Sequence, residues 1–113
     1  MRLPWRSRYY DVIERQLAMF AEDNRPLLVR ISDAKRRYEC ARGADSEEAY
    51  GDYIELVEEA EDELLALRDR YASTMEGRER SRYQREFTRA AERRLPTLQA
   101  RRMYERAMDP DDD

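Results

Sequence analysis

Between positions 50 and 74 the side chains Tyr50, Tyr53, Val57, Ala60, Leu64, Leu67, Tyr71 and Thr74 recur at steps of three and four without a break. In a strand each step of three would throw the next member onto the opposite face. A helix gathers all eight on one side. The run covers almost four heptads and predicts a long helix packed lengthwise against another helix. Ile54, Leu56 and Leu65 widen the stripe, which predicts contact with more than one partner. At about 1.5 Å per residue this helix approaches 45 Å, so an elongated shape is expected.

The rest of the chain agrees with an all-α fold. Ala, Glu, Lys, Leu and Arg make up 53% of the residues, and the three Gly and four Pro are too few to punctuate a many-stranded sheet. A first helix is expected from Pro4 to Glu22, with Tyr10, Ile13, Leu17 and Phe20 on one face. Asp23-Asn24-Arg25-Pro26 ends it and opens a second helix that runs to about Arg42, with seam residues Leu27, Ile31, Ala34, Tyr38 and Ala41. Gly43 is the expected C-terminal cap. Asp45 with Glu48 forms a candidate capping box for the long helix, and Ser73 with Glu76 a second one for the next. A continuous helix through Gly77 is the competing expectation. The fourth helix carries Tyr83, Phe87, Ala90, Ala91 and Leu95, and Pro96 kinks or ends it before a last helix, Thr97 to Met108. The expected architecture is an elongated antiparallel bundle, or coiled-coil-like hairpin, of three to four long helices with a Pro-kinked C-terminal helix. It forms one domain over 1–108, and 109–113 is a disordered acidic tail.

Charged residues account for 42% of the chain, while the net charge is only -4. The two signs are segregated. Residues 1–44 carry a net +4, residues 45–76 a net -10, residues 77–106 a net +6 and the tail -4. The long helix is therefore acidic and its sequence neighbours basic. Like charges stand four apart at Glu55/Glu59, Glu58/Asp62, Glu59/Glu63, Arg78/Arg82, Arg85/Arg89 and Arg89/Arg93. Each such pair costs a few tenths of a kcal/mol. Antiparallel pairing of the acidic helix with a basic one would offset that repulsion and disfavour other pairings. A turn near Met75 would bring Arg89 and Arg93 level with Glu58, Glu61 and Asp62.

Several function classes lose support. The chain has no His, the usual general base and the commonest metal ligand. Glu55, Glu58, Glu59 and Asp62 cluster on one helix, but helical di-iron sites use Glu-x-x-His pairs. The lone Cys40 excludes an intrachain disulfide and a Cys-based zinc site, and a buried filler role is expected for it. No Gly-rich phosphate loop or nucleophile elbow appears. No enzyme, cofactor or metal is expected. Uncharged runs such as Gln16 to Ala21 are far too short to span a bilayer. Met1-Arg2-Leu3-Pro4-Trp5-Arg6 is followed by no apolar signal core, so a cytoplasmic location is expected. The Trp5 to Tyr10 stretch is expected to staple the first helix to the bundle rather than lie on a membrane, because Asp11 and Glu14 interrupt its basic character.

What remains is a non-catalytic protein-interaction or scaffolding module. Large aliphatic residues are scarce, and a small domain buries only roughly 60–65% of its unfolded surface. A wide seam could bury its surplus against a second copy, and a homodimer is expected. The interaction seam is Tyr50, Tyr53, Val57, Leu64, Leu67 and Tyr71. The alternative is nucleic-acid binding by the Arg-rich segment 78–106, with Arg85, Arg89, Arg93, Arg101, Arg102 and Arg106 as the phosphate contacts. Against it stands an isoelectric point near 5.1. An acidic surface that imitates a nucleic-acid backbone is weakened by the inward direction expected for Tyr50 and Tyr53.

Overall fold

The computed structural model describes residues 8–98. They form four α-helices: α1 (Tyr10–Asp23), α2 (Arg25–Cys40), α3 (Ala44–Ala72) and α4 (Gly77–Arg94). A short 3-10 turn, Pro96–Leu98, follows. No strand occurs among the described residues, and the fold is all-α. The molecule measures 50 × 35 × 27 Å. Its long axis is set by the 29 residues of α3, about 44 Å of helix.

Only Asn24 separates α1 from α2, and the junction is a kink rather than a turn. The Asn24 N–H donates to the Phe20 carbonyl, and the Leu28 N–H donates to the Asn24 carbonyl, both at 3.0 Å. Helical bonding thus approaches the joint from both sides. Pro26 has no N–H to continue it and its ring crowds the preceding turn. Asn24 does not cap α2 as its position predicts. Its side-chain amide donates back to the Phe20 carbonyl at 3.0 Å and so closes α1.

The other boundaries fall close to their predicted places, with different local chemistry. Helix α1 begins at Tyr10, after a turn at Arg8 and Tyr9, and the predicted start at Pro4 lies outside the described residues. Gly43 is not the cap of α2, which stops at Cys40. It stands immediately before α3 with φ 63 and ψ -134, a conformation glycine alone adopts cheaply. Neither capping box forms. Helix α3 starts before Asp45 without a side-chain cap. Ser73 stays right-handed and its hydroxyl donates to the Arg70 carbonyl. Arg80 reaches back instead, donating to the carbonyls of Met75 (2.8 Å) and Ala72 (3.3 Å) and satisfying acceptors at the end of α3. Gly77 opens α4 at φ 55, so the chain turns there and the continuous helix is excluded. The predicted seam ends at Tyr71, and Thr74 is exposed in the turn. The predicted helix 97–108 and acidic tail lie almost wholly outside the described residues.

Helix α3 is the spine. Arg37 pairs with Asp52 at 2.8 Å and the Tyr38 and Tyr50 rings meet at 5.0 Å, so α2 runs antiparallel along its first half. Gln84 donates to Asp69 (3.1 Å) and Arg68 to Thr88 (3.2 Å), so α4 runs antiparallel along its second half. Helix α1 lies on α4, held by Tyr83 to Gln16 (2.7 Å), Tyr9 to Glu79 and Arg94 to Glu14. The core follows from those contacts. Val57, Ala60, Tyr83 and Phe87 are at most 1% exposed, with Ile13, Leu17, Phe20, Ile31 and Leu64 around them. Tyr9 rather than Tyr10 is the buried tyrosine at the start of α1. It meets Tyr83 edge to face at 5.7 Å.

Candidate interaction surfaces

The two halves of α3 are covered differently. The α3–α4 hydrogen bonds put position sums near 153–156, so Arg94, the last residue of α4, falls roughly level with Glu59. The first turns of α3 project beyond α4 and, with α2, make a two-helix arm. Its tip is a tyrosine cluster. The Tyr38 and Tyr53 rings stack at 6.3 Å and the Tyr50 and Tyr53 rings meet at 6.4 Å. Tyr53 is buried, and burial pushes its hydroxyl pKa up. Tyr38 and Tyr50 are half-buried and open onto a shallow groove of about 370 Å³, lined also by Ser46, Glu47 and Gly51.

The predicted seam residues divide by depth rather than by half of α3. Tyr53, Val57 and Leu64 are inside the chain's own core. Tyr50, Leu67 and Tyr71 are half-buried and pack on it, as do Ile54 and Leu56, while Leu65 is half-buried beside a small cavity. The widened stripe thus serves two neighbours within one chain, α2 and then α4. Tyr71 lies 4.9 Å from the Tyr83 ring. A small apolar cavity of about 30 Å³ lies between Leu64, Phe87, Ala91 and Leu98, room for about one water.

The charge pattern takes a form that the sequence reading did not anticipate. The α3–α4 interface is apolar at its centre and polar, not ionic, at its edge. The described ion pairs of α4 run from Arg94 to Glu14, from Arg82 to Glu86 and from Glu79 to Arg8. The expected pairs of Arg89 and Arg93 with Glu58, Glu61 or Asp62 are not among them. Arg78, Arg82, Arg85, Arg89 and Arg93 are all exposed. Their steps of four, three, four and four keep them in one row on the side of α4 opposite Phe87. Opposite Val57 on α3, Glu48, Asp52, Glu55, Glu59 and Glu63 make a second row, exposed except for the half-buried Asp52. Sequence reasoning found both charge blocks and missed that each collapses into one outward row. The signal was available in the spacing.

Of the predicted phosphate contacts, Arg85, Arg89 and Arg93 stand together in the α4 row. Arg101, Arg102 and Arg106 lie outside the described residues. Cys40 is exposed, not a buried filler. It sits two positions past Tyr38, which turns it away from the seam. Among the described residues no group of three His, Cys, Asp or Glu side chains is arranged to hold a metal ion, and no helix is long and apolar enough to cross a membrane. Comparison with protein-family models, curated proteins and solved structures finds no match for the chain.

Proposed function

We propose that this chain is a non-catalytic helical protein-interaction module that associates with itself. The reading rests on the two-helix arm. Beyond the end of α4 the tyrosine cluster of α2 and α3 has a core on one side and an open groove on the other. A two-helix hairpin gains stability by covering such a face with a further helix. Size-exclusion chromatography with light scattering at roughly 100 μM, well above a micromolar dissociation constant, tests it. The expected mass is at least twice the 13.7 kDa of one chain. A single-chain mass would overturn self-association.

The row of Arg85, Arg89 and Arg93 favours nucleic-acid binding as a second reading. It requires retention of RNA or DNA near 0.15 M salt and steep loss as salt rises.

A further inference from the structure

We infer that the exposed arginine row of α4 docks on the exposed carboxylate row of α3 in a second copy of the chain. The inference rests on the self-association reading and names the surfaces that carry it.

The two rows match in step, length and sign. Arg78, Arg82, Arg85, Arg89 and Arg93 stand thirty positions after Glu48, Asp52, Glu55, Glu59 and Glu63 respectively. A constant offset means identical steps, so five opposite pairs come level when the two helices lie side by side and parallel. Each row spans sixteen residues, about 22 Å from first to last. Within one molecule the rows cannot meet, because the inner faces of α3 and α4 pack on each other through Leu64, Phe87 and Ala91. The rows therefore point outward on opposite sides of the same molecule, so the docking is head to tail: a pair of copies uses one row from each, and further copies can add.

The rows are also short of opposite charge. Among the described residues, Arg78, Arg85, Arg89 and Arg93 form no ion pair. Arg37 engages Glu48 and Asp52 at the arm's tip, and Glu86 engages Arg82. The last three positions of the match, Glu55/Arg85, Glu59/Arg89 and Glu63/Arg93, carry like-charge neighbours at i,i+4 that weaken each helix alone. A docked row of opposite sign reverses that repulsion on both helices at once. The carboxylate row also runs along the arm, where α3 has no α4 beside it.

A phosphate backbone is a poorer occupant of the arginine row. Glu79, Glu86 and Glu92 flank the row on α4 itself, and the chain as a whole is negative. A carboxylate-bearing helix matches the row's spacing, and the chain supplies one.

Three variants test the inference in the full-length chain, with circular dichroism confirming helicity. Arg85→Glu/Arg89→Glu/Arg93→Glu presents two acidic rows. Glu55→Arg/Glu59→Arg/Glu63→Arg presents two basic rows. The six-fold exchange restores opposite rows and the native net charge. At about 50 mM salt each triple variant is expected to lower the self-association constant at least ~tenfold, and the exchange to recover it. The native chain should weaken by a similar factor near 0.5 M salt, because screening acts on exposed charges. Should a triple variant lose helicity, Arg85→Gln/Arg89→Gln/Arg93→Gln removes the row without reversing it and carries the same expectation. Self-association that ignores both salt and the triple variants overturns the docking and leaves the self-association reading standing. A single-chain mass under all conditions overturns both. Failure of the six-fold exchange to recover association overturns the docking. So does retention of a labelled RNA or DNA at 0.15 M salt that depends on Arg85, Arg89 and Arg93.

Discussion

Replacing Tyr83 by Phe is expected to destabilise the chain at neutral pH and to stabilise it in strong alkali. Tyr83 is fully buried, and its hydroxyl donates to Gln16 Oε1 at 2.7 Å. Its ring sits among Tyr9, Tyr71 and Phe87. Phe keeps those ring contacts and removes only the hydrogen bond. Gln16 is half-buried, so water can take the vacated place, and the loss at pH 7 should be about 1 kcal/mol. Burial pushes the Tyr83 hydroxyl up to about 12, with the Gln16 bond acting in the opposite direction. The neutral phenol is thus the form the folded state favours. Its stabilising contribution is fully present below the unfolded value of about 10. Above pH 10 the unfolded chain ionises first, and stability falls by about 1.4 kcal/mol per pH unit until the folded phenol ionises near 12.

The total alkaline loss is on the order of 2 kcal/mol, and the Phe variant lacks it. The stability difference should therefore run from about 1 kcal/mol in favour of the native chain at pH 7 to about 1 kcal/mol in favour of the variant at pH 12. It should change sign near pH 11. Urea unfolding followed by circular dichroism, with both proteins at matched pH, measures this. The other tyrosines titrate in both proteins and cancel. A variant that stays less stable than the native chain by the same margin at every pH would refute the reasoning. It would mean that Tyr83 ionises as readily in the folded chain as in the unfolded one.

Gly51 and Gly77 should respond oppositely to alanine. Gly51 sits in an exposed helical turn with open space where a Cβ would stand, so Gly51→Ala should raise stability by about 0.5–1 kcal/mol. Gly77 has φ 55 at the first turn of α4, so Gly77→Ala should cost about 1–2 kcal/mol by the left-handed penalty. Thermal melts of both variants decide it. Phe87→Ala should cost about 3–5 kcal/mol, because the side chain is 1% exposed at the α3–α4 contact. Denaturant unfolding checks the size of that loss. Asp69 accepts bonds from Arg68 and Gln84, and those partners hold its carboxyl below the usual aspartate value. Its contribution is present above the unfolded value and lost as pH falls through the folded one. Asp69→Asn should flatten the acid limb of the stability profile by less than about 1 kcal/mol, since the group is half exposed.

Helical periodicity made most of the architecture legible. The seam of α3 named Tyr53, Val57, Ala60 and Leu64 as buried, and the seam of α4 named Tyr83, Phe87, Ala90 and Ala91. Those positions are set by which face of a helix must leave water, and a step pattern records that directly. The junctions were less legible because their chemistry depends on atoms brought in from elsewhere. Asn24 and Ser73 both have side chains that bond helix starts as well as helix ends, and composition does not say which. Arg80 closes the end of α3 from eight residues downstream of Ala72, beyond any local capping rule. Cys40 needed only its offset from Tyr38 to be placed outside.

The charge blocks show where sequence reasoning and packing part company. An acidic helix between basic ones suggests that opposite signs meet in the bundle, and the net charges of the segments support that idea. Net charge has no direction, however, whereas a helix face does. On α3 the apolar seam occupies one side, so carboxylates three and four apart are displaced to the other. The same holds for the arginines of α4 opposite Tyr83 and Phe87. When two such helices join through their seams, the strongest rows of charge are the ones the join carries farthest apart. What pairs across the join is the margin of each face, which here is Arg68 with Thr88 and Gln84 with Asp69. Segregated charge on amphipathic helices therefore predicts the outer surface of the bundle rather than its internal contacts. Water and counter-ions satisfy an outward row, and any protein complement to it comes from outside the molecule; under the proposed docking, the carboxylates of α3 in a second copy match the arginines of α4 position for position.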